Sequence, residues 1–272
     1  MIRLAVRVQR EHAELVLAEL LVLAPAGVEE RDLGDAIEYA VYGAPGELPE
    51  LPDLRAAAGD ALVEVSSSEV PDDWSERWRR FHAPVAIGGR LRVRPPWAPR
   101  EDGLLEVVID PGQAFGTGAH ATTRLCLELL LEIDPAGPIV DVGCGSGVLA
   151  IAAARLGWPA VVAVDHDPAS IAATRANARA NGVKVDARVL DLRSDALPTA
   201  HAFAANLLRP LLLLLARRLP DPPPRALIAG GLLREEADDV AAAFAAGGLL
   251  EAARREEGEW AALLLAAASA AS

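Results

Sequence analysis

The sequence predicts an α/β fold: a Rossmann-like domain built on a mostly parallel sheet, preceded by a small ferredoxin-like α+β module. Three observations carry this. Residues 139–147, Ile-Val-Asp-Val-Gly-Cys-Gly-Ser-Gly, take a short apolar run straight into a glycine turn. Val148 to Leu156 then follows as an apolar stretch of strong helix formers. Residues 1–66 alternate between strand-like and helix-like patterning in the order of a split βαβ unit.

The first two observations form the opening turn of a nucleotide-binding fold. Glycines let a ligand approach the backbone, and the start of the helix offers N–H groups without helical partners. A dinucleotide fingerprint counted from Gly143 requires glycine at position 148, where this chain has Val148. The spacing is instead Gly143, Gly145, Gly147, with Asp141 on the strand before it. A carboxylate at that place disfavours a pyrophosphate and suits a cationic or amino-bearing ligand. The next strand, Ala160 to Val164, ends in Asp165, where an acid can hold ribose hydroxyls. An adenosine with a positively charged amino-acid tail satisfies both carboxylates, and S-adenosyl-L-methionine is that molecule. A tight turn with a capping acid is the plainer reading of the same residues.

Composition narrows the choice. The chain has 272 residues, 52% of them hydrophobic, enough for one large domain or two moderate ones. The longest leucine block, Leu211 to Leu215, is flanked by Arg209 and Arg217 and is far shorter than a membrane span. The first residues alternate charged and apolar side chains and lack signal-peptide features. Cys126 and Cys144 are too few and too distant for a disulfide framework or a zinc site, so no metal is expected and a reducing cytoplasm is. A net charge of −13 argues against a general nucleic-acid binder.

Residues 1–66 read as a separate module with strands at Ile2 to Val8, Ala36 to Tyr42 and Ala61 to Val65. Helices are expected at Glu11 to Leu23 and Leu54 to Ala58, with a further strand near Gly27 to Arg31. Residues 67–103 read as a linker holding a short helix, with Trp74, Trp78 and Phe81, and a strand. It carries seven arginines (77, 79, 80, 90, 92, 94, 100) and no acid from Arg77 to Arg100. This is either a docking surface for an acidic or RNA-associated partner, or an alternating strand whose arginines face water.

Residues 104–272 form the large domain. Its strand Leu104 to Ile109 leads into Asp110-Pro-Gly-Gln-Ala-Phe-Gly-Thr-Gly-Ala-His-Ala-Thr-Thr123, a glycine-hinged loop with Phe115, Thr117 and His120 beside the expected pocket. Thr122 or Thr123 is expected to start the following helix. Further on come a helix from Asp167 or Pro168 to Asn181, and strands near Val183 to Leu190, Ala202 to Asn206 and Ala226 to Ala229. A terminal antiparallel pair, Leu249 to Arg254 with Trp260 to Leu265, completes a seven-stranded sheet. Asp191 is placed either to reach an adenine amino group or to cap a turn.

The 110–123 loop, Asp141-Val-Gly-Cys-Gly-Ser-Gly-Val-Leu-Ala-Ile-Ala, Val164-Asp-His-Asp-Pro and Asn206-Leu-Leu together resemble the ribosomal-protein L-eleven methyltransferases, the PrmA family of class I S-adenosylmethionine-dependent enzymes. Asp73-Trp-Ser-Glu-Arg-Trp and Glu257-Gly-Glu-Trp-Ala-Ala-Leu extend the likeness from about residue 72 to 265. The resemblance implies cofactor contacts at Thr123, Gly143, Asp165 and Asn206, to which the loop chemistry above adds Asp141 and Gly145. It implies methylation of lysine or N-terminal amines of a ribosomal protein docked by residues 1–66, with no direct nucleic-acid contact required. Asn206 and His120 are the candidates for orienting or deprotonating the amine. Leu207 and Leu208 stand where nucleobase amine methyltransferases often carry prolines and an aromatic, which disfavours a flipped base. Action on another protein or a small amine, or ligand binding without turnover, are the alternatives.

Overall fold

The computed structural model describes residues 2–13, 16–17, 20, 28–43, 61–69, 83–110 and 120–267. The chain divides into two compact units, Met1–Phe81 and His82–Ser272. The expected helices at residues 54–58 and 74–81, most of the helix at 11–23, and Phe115 and Thr117 of the loop lie outside the described residues.

In the first unit, β1 (Ile2–Gln9), β2 (Glu29–Asp32), β3 (Ala36–Gly43) and β4 (Leu62–Glu69) form an antiparallel sheet in the order β2-β3-β1-β4. That is the order of a ferredoxin-like module. Period-two alternation sorts the side chains. Leu4, Val6, Val8, Ile37 and Tyr39 pack with Ala13, Val16 and Leu20 on one face, and the Tyr39 hydroxyl donates to the Ala13 carbonyl at 3.0 Å. On the other face Arg3 and Arg7 bracket Glu38 at 2.6 and 3.1 Å, and Arg3 above all holds that carboxyl below its ordinary range.

The second unit opens with a small sheet of β5 (Val85–Ile87), β6 (Leu91–Arg94) and β7 (Leu105–Val108), with β6 and β7 parallel. The stretch read as a linker, 67–103, is therefore not one body: its first residues finish β4, and residues 85–94 belong to the second unit. The reading of its arginines as facing water holds in part. Arg90 and Arg100 are exposed, but Arg92 and Arg94 are each 8% exposed and paired with Glu106, itself 4% exposed, on β7. Burial would push the Glu106 carboxyl up, but Arg94, the Glu101 N–H and Arg92 outweigh it and leave the group below its ordinary range. Arg92 also donates to the Pro99 carbonyl at 2.8 Å, and Arg94 to Ala98 at 2.8 Å, so few guanidinium donors are stranded. Arg77, Arg79 and Arg80 lie outside the described residues.

The main sheet runs β10-β9-β8-β11-β12-β14-β13. Its strands are β8 (Ile139–Val142), β9 (Val161–Asp165), β10 (Asp186–Val189), β11 (Ala202–Asn206), β12 (Ala226–Leu233), β13 (Leu249–Glu257) and β14 (Trp260–Ala267). β8 to β12 pair in parallel, and β14 lies antiparallel between β12 and β13. Helices α1 (Ala121–Leu130), α2 (Val148–Arg155) and α3 (Pro168–Ala180) bury their apolar stripes with Ile139, Ala204 and Ile228 on one face. Helices α4 (Arg209–Arg218) and α5 (Ala237–Ala245) pack with Val140, Phe203 and Leu263 on the other. The strands are apolar on both faces because both faces are covered. No helix among the described residues is long and apolar enough to cross a membrane.

The order of strands reverses between β8 and β11. In open α/β sheets this switch point opens a crevice beyond the carboxyl ends of the strands, and ligands bind there.

Candidate cofactor and acceptor site

The glycine turn lies at that crevice, between β8 and α2. Gly143, Gly145 and Gly147 have φ of 73°, 52° and 80°, a region other residues rarely enter. The turn is fastened from several sides. The N–H groups of Gly143 and Cys144 donate to the Val164 carbonyl at 2.8 and 3.1 Å, and that of Gly147 to the Cys144 carbonyl at 2.8 Å. Gly145 N donates to Asp165 Oδ2 at 3.0 Å, and Ala150 N, in the first turn of α2, to Asp141 Oδ2 at 3.0 Å. Five N–H groups of the turn and the helix start thus have protein acceptors, two of them aspartate side chains. The donor set fits a ligand without phosphate. A Cβ on Gly143 would stand 2.3 Å from Leu207 Cδ2, so Leu207, just past the end of β11, packs directly on the turn.

Asp165 ends β9 as expected. Its Oδ1 accepts from Asp167 N at 3.0 Å and lies 3.2 Å from His166 Nδ1, while Oδ2 holds Gly145. An ionised carboxylate has about four acceptor sites, so the same group can still accept from ribose hydroxyls. Asp191 Oδ1 accepts from Arg193 N at 2.9 Å and closes a turn.

Two of the residues expected to touch the ligand are buried in this structure. Asp141 is 2% exposed under the turn it holds, and Thr123 is fully buried behind Asn206. For Asp141 the reason is strand direction: its side chain points to the α2 face of the sheet, where a helix start supplies the N–H it needs. Burial lifts this carboxyl to about 7, the Ala150 bond opposing and the charge of Asp165 adding. An unfolded aspartate titrates near 3.9, so the folded chain holds the extra proton between roughly pH 4 and 7. Stability from this group is present in full below that window and is lost as pH rises through it. We therefore expect Asp141→Asn to flatten the fall of the thermal midpoint between about pH 4 and 7. An unaltered slope would sink the assignment.

Asn206 ends β11 and faces the start of α1. Its Nδ2 donates to the hydroxyl oxygens of Thr122 and Thr123, each at 3.3 Å, and among the described residues its Oδ1 takes no bond. Thr122 in turn lies 2.9 Å from His120 Nδ1, and that nitrogen also accepts from Thr122 N at 3.3 Å. Accepting an N–H makes Nδ1 the unprotonated nitrogen, so the Thr122 hydroxyl donates to it and accepts from Asn206. His120 is thus the cap of α1, the place expected for Thr122 or Thr123. Its ring meets the Trp260 indole edge-on at 5.0 Å. Burial, helped by the charge of Arg124, holds the imidazole below its ordinary pKa, Glu257 opposing. A neutral ring whose Nδ1 is already engaged anchors a helix better than it serves as a base.

Sequence reasoning passed over Thr122 as a partner of Asn206, and Thr174 and Asn177 altogether. Thr174 donates to the Gly145 carbonyl at 2.9 Å, and Asn177 to that of Ser146 at 2.9 Å. Polar residues spaced three apart on the apolar stripe of α3 were the available signal. A cleft of about 370 Å³ lined by Arg175, Arg179, Lys184 and Asp186 lies where α3 ends and β10 begins, at the opposite edge of the sheet, and has no part in the site.

The strand order, the glycine turn and the acid ending β9 together define a class I methyltransferase fold. The family model for "Ribosomal protein L11 methyltransferase (PrmA)" matches residues 52–267, and the chain belongs to that family. A relative of that name from Dechloromonas aromatica is 36% identical over 200 residues, 63% of this chain and 67% of the relative. One from Symbiobacterium thermophilum is 45% identical over 145 residues, 52% of this chain and 47% of the relative, so the match spans about half that protein's length. Among solved structures, ribosomal protein L11 methylase from Lactobacillus delbrueckii subsp. bulgaricus is similar with a TM-score of 0.61 and 25% identity, over 69% of this chain and 98% of that one.

Proposed function

We propose that this chain is an S-adenosyl-L-methionine-dependent protein N-methyltransferase of the cytoplasm that modifies lysine or N-terminal amines of ribosomal protein L11. Family membership supports the reaction class and the substrate. One observation carries the cofactor: the Gly145 N–H and the Ala150 N–H at the start of α2 are already held by Asp165 and Asp141, which disfavours a pyrophosphate and suits a cationic adenosine derivative.

Bound in the crevice, S-adenosyl-L-methionine supplies a methyl group already activated on a positively charged sulfur. The chain itself has to hold the ribose, place a neutral amine and keep water out. Asp165 holds the ribose hydroxyls, and Gly143 and Gly145 give the backbone close approach. Asn206 presents Oδ1 as an acceptor to an N–H of the amine, because its Nδ2 is engaged by Thr122 and Thr123. A lysine ammonium reaching the site must lose a proton from a pKa near 10.4, and with His120 Nδ1 engaged that proton leaves to solvent. The first unit docks the protein substrate, and the second carries out transfer. With a net charge of −13 no nucleic-acid contact is needed.

Calorimetric titration with S-adenosyl-L-methionine, followed by transfer of labelled methyl to free ribosomal protein L11 and to small amines, tests this. Binding with transfer to L11 alone supports it. Binding without transfer would make the chain a ligand-binding protein, and transfer to small amines in preference would move the substrate class.

A further inference from the structure

Two asparagines, Asn177 in the last turn of α3 and Asn181 capping it, look alike and do different things. Asn181 ties the helix end to one strand: its Oδ1 accepts from Val108 N at 2.8 Å, and its Nδ2 donates to the Val108 carbonyl at 2.6 Å and to the Asn177 carbonyl at 2.8 Å. Asn177 joins two segments. Its Nδ2 donates to the Ser146 carbonyl in the glycine turn at 2.9 Å, and its Oδ1 accepts from Asp110 N, just past β7, at 3.1 Å. Asn177 is 4% exposed and its bond to Ser146 is buried, so that bond is shielded from water. One partner is a carbonyl and the other an N–H, so only one orientation of the amide satisfies both. One turn back on the helix, Thr174 donates to the Gly145 carbonyl and touches Cys144 Sγ at 3.3 Å.

We propose that Asn177 is a positioning residue for the cofactor: it sets the height of the glycine turn against the end of β7 and so fixes the pocket's backbone in its binding geometry. The inference rests on the proposed cofactor. Asn177 touches the turn from behind, on the helix side, and acts through Ser146, with no contact of its own to the ligand. Three of the turn's residues have positive φ, so its shape is not held by ordinary backbone preference and depends on such external bonds.

The test is equilibrium titration of the full chain with S-adenosyl-L-methionine alongside thermal unfolding. Asn177→Ala is expected to weaken binding about tenfold, the effect of one buried hydrogen bond. Asn181→Ala is expected to lower the thermal midpoint while leaving affinity within about twofold, since it holds a strand and no part of the turn. Asn177→Asp supplies a readout that structural support alone would not move. A protonated carboxyl offers one donor and one acceptor like the amide, whereas the ionised group meets the Ser146 carbonyl with an acceptor. The ratio of its dissociation constant to the parent's is expected to fall as pH is lowered from 8 to about 6, the ratio cancelling the titration of Asp141. Equal weakening by Asn177→Ala and Asn181→Ala, or binding by Asn177→Ala within about twofold of the parent, would overturn the proposal. Should Asn177→Ala fail to fold, the Asn177→Asp ratio decides, and a flat ratio overturns it. If the parent chain itself binds no cofactor, the proposed function falls first and this inference with it.

Discussion

Asp165→Ala is expected to weaken cofactor binding by two to four orders of magnitude. Two hydrogen bonds from ribose hydroxyls to a carboxylate contribute about 1.5–3 kcal/mol each, and every 1.4 kcal/mol is a factor of ten in the dissociation constant. The loss has a second source within the protein itself. Asp165 already holds Gly145 N and Asp167 N, so its removal leaves two N–H groups of the pocket without acceptors. Asp165→Asn separates the contributions. The amide keeps one oxygen for a backbone donor but sets an NH₂ against the other, and it no longer carries charge for the ribose. Calorimetry on the two variants gives the comparison, and an affinity within about threefold of the parent in both would remove Asp165 from the site.

Asn206→Ala is expected to leave cofactor affinity nearly unaltered and to slow methyl transfer about 100-fold, the cost of misplacing a reacting atom by roughly an ångström. Asn206 lies at the centre of a hydrogen-bonded chain, from His120 through Thr122 to its own amide and on to Thr123, so its Oδ1 is aimed by buried groups. That fixed aim is what an amine without a dedicated base requires. Single-turnover rates with saturating cofactor measure the effect. An unchanged rate would reassign Asn206 to structural support of α1.

Where the sequence was legible and where it was not follows from distance along the chain. Asp165 and Asn206 could be placed at the crevice because each directly ends an apolar strand, and in a parallel sheet that ending is itself a position in space. The terminal antiparallel pair was legible for the same local reason. Thr122 and Thr123 meet Asn206 across 84 and 83 residues, and Asp110 meets Asn177 across 67, separations over which no periodicity reports. Asp141 could be placed on its strand, but not its burial under the turn: one residue of register decides which face of the sheet a side chain takes. Arg92 and Arg94 were misread because their neutralising partner, Glu106, arrives on another strand, and a count of arginines in a window cannot see it.

The position of β14 has a consequence for how the chain comes to be folded as it is made. Of the seven strands in the main sheet it is the last synthesised, yet it lies inside, between β12 and β13. Until residues 260–267 have left the ribosome, β12 presents an open parallel edge, and β13 has no neighbour in the sheet. An unpaired apolar edge is the feature that recruits foreign strands. Insertion of β14 also brings Trp260 against His120 and Glu257 against Arg124, which pins the start of α1. The nascent chain therefore closes its aggregation-prone edge and pins the start of α1 in one late step, and a chain arrested before residue 260 has neither.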